Sequence, residues 1–292
     1  MFLLSRLPRS WKVWLRAQYA EAERWYARAF RSYGPDEMAA ALHALGIASG
    51  DTVMLHSAFG SRYGFRGTID ALTRVFLDAV GPAGNLLMVS LPYRSSSLEY
   101  LSHLKSFDVR KTPSMMGLVS EYFRRRAGVL RSLHPTHPVL AFGPDAETIV
   151  AAHEDCLYPC GPGTPFEKLA DLDGKVIFFN VPFATFTFFH YLEHVVSPQM
   201  PFPLYTEHPF EVPVVDRCGE RRTVTTYVFS LDAIRRRRFE VLERELRRRG
   251  LIRRARVGNS RIEMIRVRDA IDCTRDMLAK GQYFYDVAEV RT

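Results

Sequence analysis

The sequence predicts an α/β fold, a mixed sheet flanked by helices on both faces with an antiparallel extension at the carboxyl end. Three observations carry this. Short apolar runs at residues 52–55, 85–91, 139–142 and 176–179 have strand length and read as buried strands. The stretches between them place apolar residues at helical spacing. Past Pro198, Pro201 and Pro203 the pattern changes to alternation of period two around short turns, the mark of hairpins. With 292 residues, 47% of them hydrophobic, the chain can bury the core of one large domain. There is no internal repeat and no low-complexity linker. The expected organisation is therefore an amphipathic basic helix over 1–33 and a single domain over 34–292.

At the amino end, Trp11, Trp14, Leu15, Ala22, Trp25 and Ala29 fall near one helical face, with Lys12, Arg16, Arg24 and Arg28 mostly elsewhere. Such a helix either packs on the body or on a second subunit, which would make a homodimer, or lies on an anionic membrane surface with Trp at the headgroups. Packing is the preferred reading of the pattern. Met38, Ala41, Leu42 and Leu45 then mark a helix closed by Gly46. The strand from Thr52 runs into a loop holding Gly60, Gly64 and Gly67, after which Thr68 caps a helix with Ile69, Leu72, Val75, Phe76 and Ala79 on its apolar face. A glycine loop of this kind lets backbone N–H groups approach a phosphate. Its spacing fits neither the Rossmann nor the P-loop fingerprint, so by pattern it is an ordinary turn. Further helices are expected near 117–126, 145–153 and 166–171. Two segments, 210–215 and 223–229, alternate around Gly219 as a hairpin. One helix follows from Leu231 to Gly250, and a second hairpin turns at Gly258-Asn259.

Charge is unevenly placed. The whole chain has 40 Lys/Arg against 32 Asp/Glu, net +8. Residues 1–32 carry seven basic against two acidic groups and residues 217–268 carry seventeen against six, whereas residues 33–216 carry thirteen against nineteen and are net acidic. Total charge therefore says little about what the middle of the chain binds. No apolar run approaches the ~20 residues of a membrane span, and residues 1–4 are too short for a signal-peptide core. A cytoplasmic location is expected, peripheral to the inner membrane face if the first helix anchors. Of four cysteines, Cys156 and Cys160 lie beside His153, Glu154 and Asp155, yet no second pair follows at finger-like spacing. Free thiols and no metal are expected.

The most informative short stretch is residues 187–193, where Thr187, His190 and Glu193 stand at intervals of three and share one helical face. The row opens a helix just past the strand at 176–179, where open α/β sheets place their ligand crevice. Glu193 can orient the imidazole and raise its basicity toward that of a general base near neutral pH. Thr187 can donate a hydrogen bond to a developing oxyanion.

The row and its surroundings resemble the aminoglycoside 3-N-acetyltransferase family. The matching pieces, in order, are Gly50-Asp51 with the strand ending in His56-Ser57; Arg66-Gly67-Thr68; Gly81-Pro82-Ala83-Gly84; Phe107-Asp108; Thr112-Pro113-Ser114-Met115-Met116-Gly117; Ser120-Glu121-Tyr122-Phe123-Arg124; Arg131-Ser132-Leu133-His134-Pro135; and Tyr158-Pro159-Cys160-Gly161. The resemblance implies direct transfer of acetyl from acetyl-CoA to a primary amine, with His190, Glu193 and Thr187 catalytic. It implies coenzyme contacts from His56, Ser57, Arg66, Gly67 and Ser132. It places Asp108 and Glu121 on the substrate side to hold an amino sugar, with His134 as architecture there and not a proton carrier. The chain departs from the family at Ala58 and Pro138, where a serine is usual, so a hydroxyl contact at either position is lost. The implied acceptor is an aminoglycoside or a nucleotide- or lipid-linked amino sugar of surface-polysaccharide synthesis.

Two other classes compete. Residues 190–194 also spell H-x-x-E-H, the inverted zincin motif, in which His190 and His194 would bind zinc. That reading covers five residues, whereas the acetyltransferase resemblance extends across more than a hundred residues upstream. A nucleic-acid binder working through the arginine-rich segments would need a known motif or interleaved aromatics, and neither is present. No nucleic acid partner is expected.

Overall fold

The computed structural model describes residues 8–287. In chain order the main elements are α1 (Arg9–Phe30), α2 (Pro35–Ala44), β1 (Thr52–Ser57), α3 (Ile69–Val80), β2 (Asn85–Val89), α4 (Ser97–His103), β3 (Phe107–Asp108), α5 (Leu118–Arg124), β4 (Leu130–Arg131), β5 (Val139–Phe142), α6 (Ala146–Val150) and α7 (Pro165–Asp171). There follow β6 (Lys175–Phe179), α8 (Phe189–Val196), β7 (Phe210–Val215), β8 (Arg221–Thr226), α9 (Leu231–Arg236), α10 (Phe239–Arg248), β9 (Arg253–Val257), β10 (Ser260–Arg266) and α11 (Val267–Ala279).

The main sheet runs β4-β5-β2-β1-β6-β10-β9. Its centre, β2-β1-β6, is parallel, and antiparallel strands flank it on both sides. The central strands are nearly continuous apolar runs because both of their faces are covered. On one face Val53, Leu55, Ile177 and Phe179 meet Met38 and Leu42 of α2, Leu72 and Phe76 of α3, and Phe123 of α5. On the other, Met54, Val176 and Phe178 meet Phe166 of α7, Phe189 and Leu192 of α8, Leu242 of α10 and Cys273 of α11. The mixed sheet with helices on both faces is therefore the one the sequence predicts.

Local chemistry sets the turns. Thr68 caps α3 by accepting from the Ala71 N–H at 3.1 Å. Gly64 adopts φ +82°, and a Cβ there would lie 2.4 Å from the Arg31 carbonyl oxygen, so only glycine lets the end of α1 close on this loop.

The structure corrects three expectations. The carboxyl-terminal extension divides: β9 and β10 join the main sheet, while β7 and β8 form a separate three-stranded sheet with the two-residue β3. The helix expected over 231–250 breaks at Arg237, whose ψ of 133° is extended, and Arg237 bridges to Tyr285 in the carboxyl-terminal tail. Finally, the aromatic stripe of α1 is not packed on the body. Trp11, Trp14 and Trp25 are 58%, 55% and 64% exposed, and the helix is held chiefly at its carboxyl end, where Ala27 is buried. There the Arg31 carbonyl accepts from Asn259 N–H at 3.2 Å.

Candidate active site

The loop from Asn180 to Phe188 carries the chain from the carboxyl end of β6 into α8, across the crevice side of the parallel strands. Asn180 takes φ +61°, which its short amide tolerates. It is fixed from both sides, donating to Ser260 Oγ at 3.0 Å and accepting from Arg261 N–H at 3.1 Å. Below this loop lies a pocket of about 210 Å³ whose wall includes His56, Ser57, Ser120, Thr187 and His190.

His190 and His56 are the two titratable side chains of the pocket wall. His190 Nδ1 lies 2.6 Å from Glu193 Oε2, and its side chain is 17% exposed while that of Glu193 is fully buried. A carboxylate holding Nδ1–H leaves Nε2 as the unprotonated ring nitrogen, which is the arrangement of a general base. Glu193 is in turn gripped by Arg237, whose Nε and Nη2 reach its two oxygens at 2.5 and 2.9 Å, and by the Tyr285 hydroxyl. Burial by itself would push the Glu193 carboxyl up, but the Arg237 charge and the hydrogen bonds from His190 and Tyr285 hold it below its ordinary value. His190 also sits below its ordinary value. Burial lowers it, Glu193 pulls it back up, and Arg237 adds to the lowering. The expected rise in basicity from Glu193 is thus present but outweighed.

His56 ends β1 with its ring stacked on Phe178 at 5.7 Å. Its Nε2 is buried without a hydrogen-bond partner among the described residues, and burial lowers it to about 4, so it is neutral. A buried polar atom of this kind in a pocket wall is a place for a ligand group. Ser57 is beside it in the same wall.

The other sequence-predicted residues are not brought to the pocket. Arg66 turns away to Glu37 at 3.4 Å, and Gly67 lies against the Phe65 ring. Ser132 is interior, accepting from Val139 N–H at 2.9 Å and bonding His153 at 2.8 Å. Asp108 Oδ1 closes a turn by accepting from the N–H groups of Arg110 and Lys111. Glu121 accepts from Ser114 N–H and from Arg124 and Arg125, which holds it down at about 2. His134 is fully buried between Thr226 and the stacked His153 ring. The zincin pair does not assemble: His190 is turned to Glu193 and His194 to Tyr205 at 3.0 Å. Among the described residues no group of three His, Cys, Asp or Glu side chains is placed to hold a metal. Conversely, Arg237 and Tyr285 carry no local signal in the sequence, since they lie 44 and 92 residues from Glu193.

A second, larger cleft of about 1140 Å³ shares Val181 and Ala184 with the pocket. Arg31, Arg62, Arg256 and Arg261 line it, none with a carboxylate in ion-pair range among the described residues.

The family model for aminoglycoside 3-N-acetyltransferase matches residues 54–279. Aminoglycoside N(3)-acetyltransferase III of a Salmonella species is 30% identical over 192 residues, 62% of this chain; the match spans 65% of that relative's length. Aminoglycoside N(3)-acetyltransferase VII of Streptomyces paromomycinus is 28% identical over 276 residues, covering 83% of this chain and 91% of the relative. Among solved structures, aminoglycoside acetyltransferase AAC(3)-Xa superposes with a TM-score of 0.75 at 25% identity, over 90% of this chain and 98% of its own. The AAC-IIIb binary complex with CoASH gives 0.72 at 25% identity, over 86% and 97%. With the matched segment reaching from β1 through α11 and enclosing the pocket, the chain belongs to the aminoglycoside 3-N-acetyltransferase family.

Proposed function

We propose that this protein is an acetyl-CoA-dependent N-acetyltransferase that acylates a primary amine of an amino sugar, an aminoglycoside or a nucleotide- or lipid-linked amino sugar, by direct transfer. The observation that carries the reading is the His190–Glu193 pair opening onto a pocket in a chain of this family. The acceptor reacts as its neutral amine: His190 Nε2 takes a proton from the amine nitrogen as that nitrogen attacks the thioester carbonyl. Thr187 Oγ1 is available to steady the oxygen of the tetrahedral adduct, at the cost of its 3.3 Å bond to the Thr185 carbonyl. Collapse breaks the C–S bond, and the imidazolium returns its proton to the leaving thiolate. No step calls for a metal or an acetylated residue.

The coenzyme reading is supported by His56 Nε2, an orphaned polar atom where an acyl-pantetheine group has something to meet, and by Ser57 beside it. The adjoining cleft offers unpaired arginines to the coenzyme's phosphates. Acetyl-CoA consumption across a panel of aminoglycosides and nucleotide amino sugars tests the reading. Turnover of at least one is expected, and none with any amine would overturn it. The exposed Trp11, Trp14 and Trp25 support a second element, a peripheral seat for α1 at an anionic membrane surface inside the cell. Vesicle binding that weakens with salt is the expected result; dimerisation through α1 with no vesicle binding would replace it.

A further inference from the structure

The carboxyl-terminal tail reaches the catalytic pair. Arg238 N–H donates to the Phe284 carbonyl at 2.9 Å and Asp286 N–H to the Arg236 carbonyl at 2.8 Å, so residues 284–286 zip along the break between α9 and α10. That zipper turns two side chains inward onto one carboxylate: the Arg237 guanidinium, forked on both oxygens of Glu193, and the Tyr285 hydroxyl. Arg237 also lies over the rings of Phe229 and Phe239 at 5.1 and 5.6 Å, and Phe239 lines the pocket.

We infer that Arg237 and Tyr285 are positioning residues for the transfer, fixing Glu193 ionised and oriented so that the proton affinity of His190 is set by the carboxyl-terminal tail. The inference rests on the acetyltransferase reading for its kinetic test only. The groups facing the pair are Arg237 and Tyr285 on the Glu193 side, the His137 ring 5.4 Å from His190, and the buried Cys160 and Tyr205. Of these only Arg237 is a fixed cation. Removing it, or the Tyr285 donor, makes the pair hold its proton more tightly, so both changes move the acidic limb in one direction.

Tyr285→Phe keeps the ring and deletes one donor; Arg237→Lys keeps the charge and loses the fork. In Tyr285→Phe, kcat is expected to fall about 10-fold, with KM for acetyl-CoA unchanged and the acidic limb of kcat/KM displaced upward by roughly one pH unit. Arg237→Lys should leave that limb near the wild-type position while kcat falls. Arg237→Met should show the largest upward displacement if it folds. Titration of the His190 ring by NMR in wild type and Tyr285→Phe gives the same answer without turnover. A His190 titration that is identical in the two proteins overturns the inference, whether or not any amine is acetylated. An idle enzyme whose His190 titration does shift overturns only the acetyltransferase reading.

Discussion

Two helices of this chain answer opposite physical demands. In α8, eight residues long, the two histidines and the glutamate are each claimed by a side-chain partner: His190 by Glu193, Glu193 also by Arg237 and Tyr285, His194 by Tyr205. In α1, twenty-two residues long, the three tryptophans are more than half exposed, and among the described residues their ring partners are one another and Phe30 of the same helix. Burial concentrates electrostatic leverage, because a charge in α8 cannot be screened and its partners set its behaviour. Exposure leaves α1 free of that constraint but presents a large apolar stripe to solvent among the described residues. The contrast predicts that single-atom changes in α8 act on chemistry, while whole side chains of α1 can be removed with little effect on the fold.

The largest effect is expected at His190. In the proposed mechanism His190→Ala removes the base, and turnover should drop ~100-fold or more with the melting temperature near that of the wild type. A folded His190→Ala protein with near-normal kcat would remove α8 from the mechanism. Glu193→Gln should follow with a smaller loss in kcat. It also leaves Arg237 buried without its anion, so a lower melting temperature is expected alongside. Retention of both the pH profile and the melting temperature in Glu193→Gln would break the claim that burial gives this carboxylate its leverage.

Acid should act on the same side of the comparison. Burial lowers His56 to about 4 and His153 to about 3, both below the ordinary imidazole value of 6.5. The unfolded chain takes up protons below 6.5 that these two native rings refuse, so native stability falls as pH drops from about 6.5 toward 4. Each ring contributes a loss approaching ~1.4 kcal/mol per pH unit through that window. Melting followed by calorimetry from pH 7 to pH 5 should show this decline. His153→Gln, whose amide can keep one of the bonds to Ser132 and Pro159, should make it shallower. An equally steep decline in His153→Gln would locate the acid sensitivity elsewhere.

How far the sequence foretells each region follows from the range of the interactions. β1, β2 and β6 are legible because both faces are buried and the residues themselves are apolar, so local composition carries the signal. The row of Thr187, His190 and Glu193 is legible because its spacing is local, and the structure brings Thr187 and His190 to one pocket wall. Arg237 is not legible, since in a run of four arginines nothing local distinguishes the one that turns inward. Its fork on Glu193 spans 44 residues. Asp108 and Glu121 belong to matching motifs, yet both are consumed by neighbours within a few residues. A motif's presence fixes where the chain passes, and the partners of its side chains decide whether a charge remains for a ligand.

The smallest expected effect, and the one that most sharpens the comparison, belongs to α1. Replacing Trp11, Trp14 and Trp25 together by Ala removes exposed side chains, a class of change usually worth within ±0.5 kcal/mol at each site. Melting temperature and kcat with a small amine should therefore stay as they are. Deleting residues 1–32 is different, because it also removes the buried Ala27 and the Arg31 carbonyl that seats Asn259, and it opens the loop that Gly64 lets close. That truncation should melt lower even though the triple variant does not. If α1 works as an interfacial helix, the triple variant should lose binding to anionic vesicles, since roughly 1 kcal/mol per basic residue at the surface is too little without the aromatic anchors. Sedimentation with anionic and with neutral vesicles, at low and high salt, separates the outcomes. Salt-sensitive binding lost in the triple variant, with an unchanged melt, supports the membrane seat. A triple variant that melts much lower than the wild type would mean that the stripe is covered after all, by a second copy of the chain, and the two helices would then differ in partner and not in exposure.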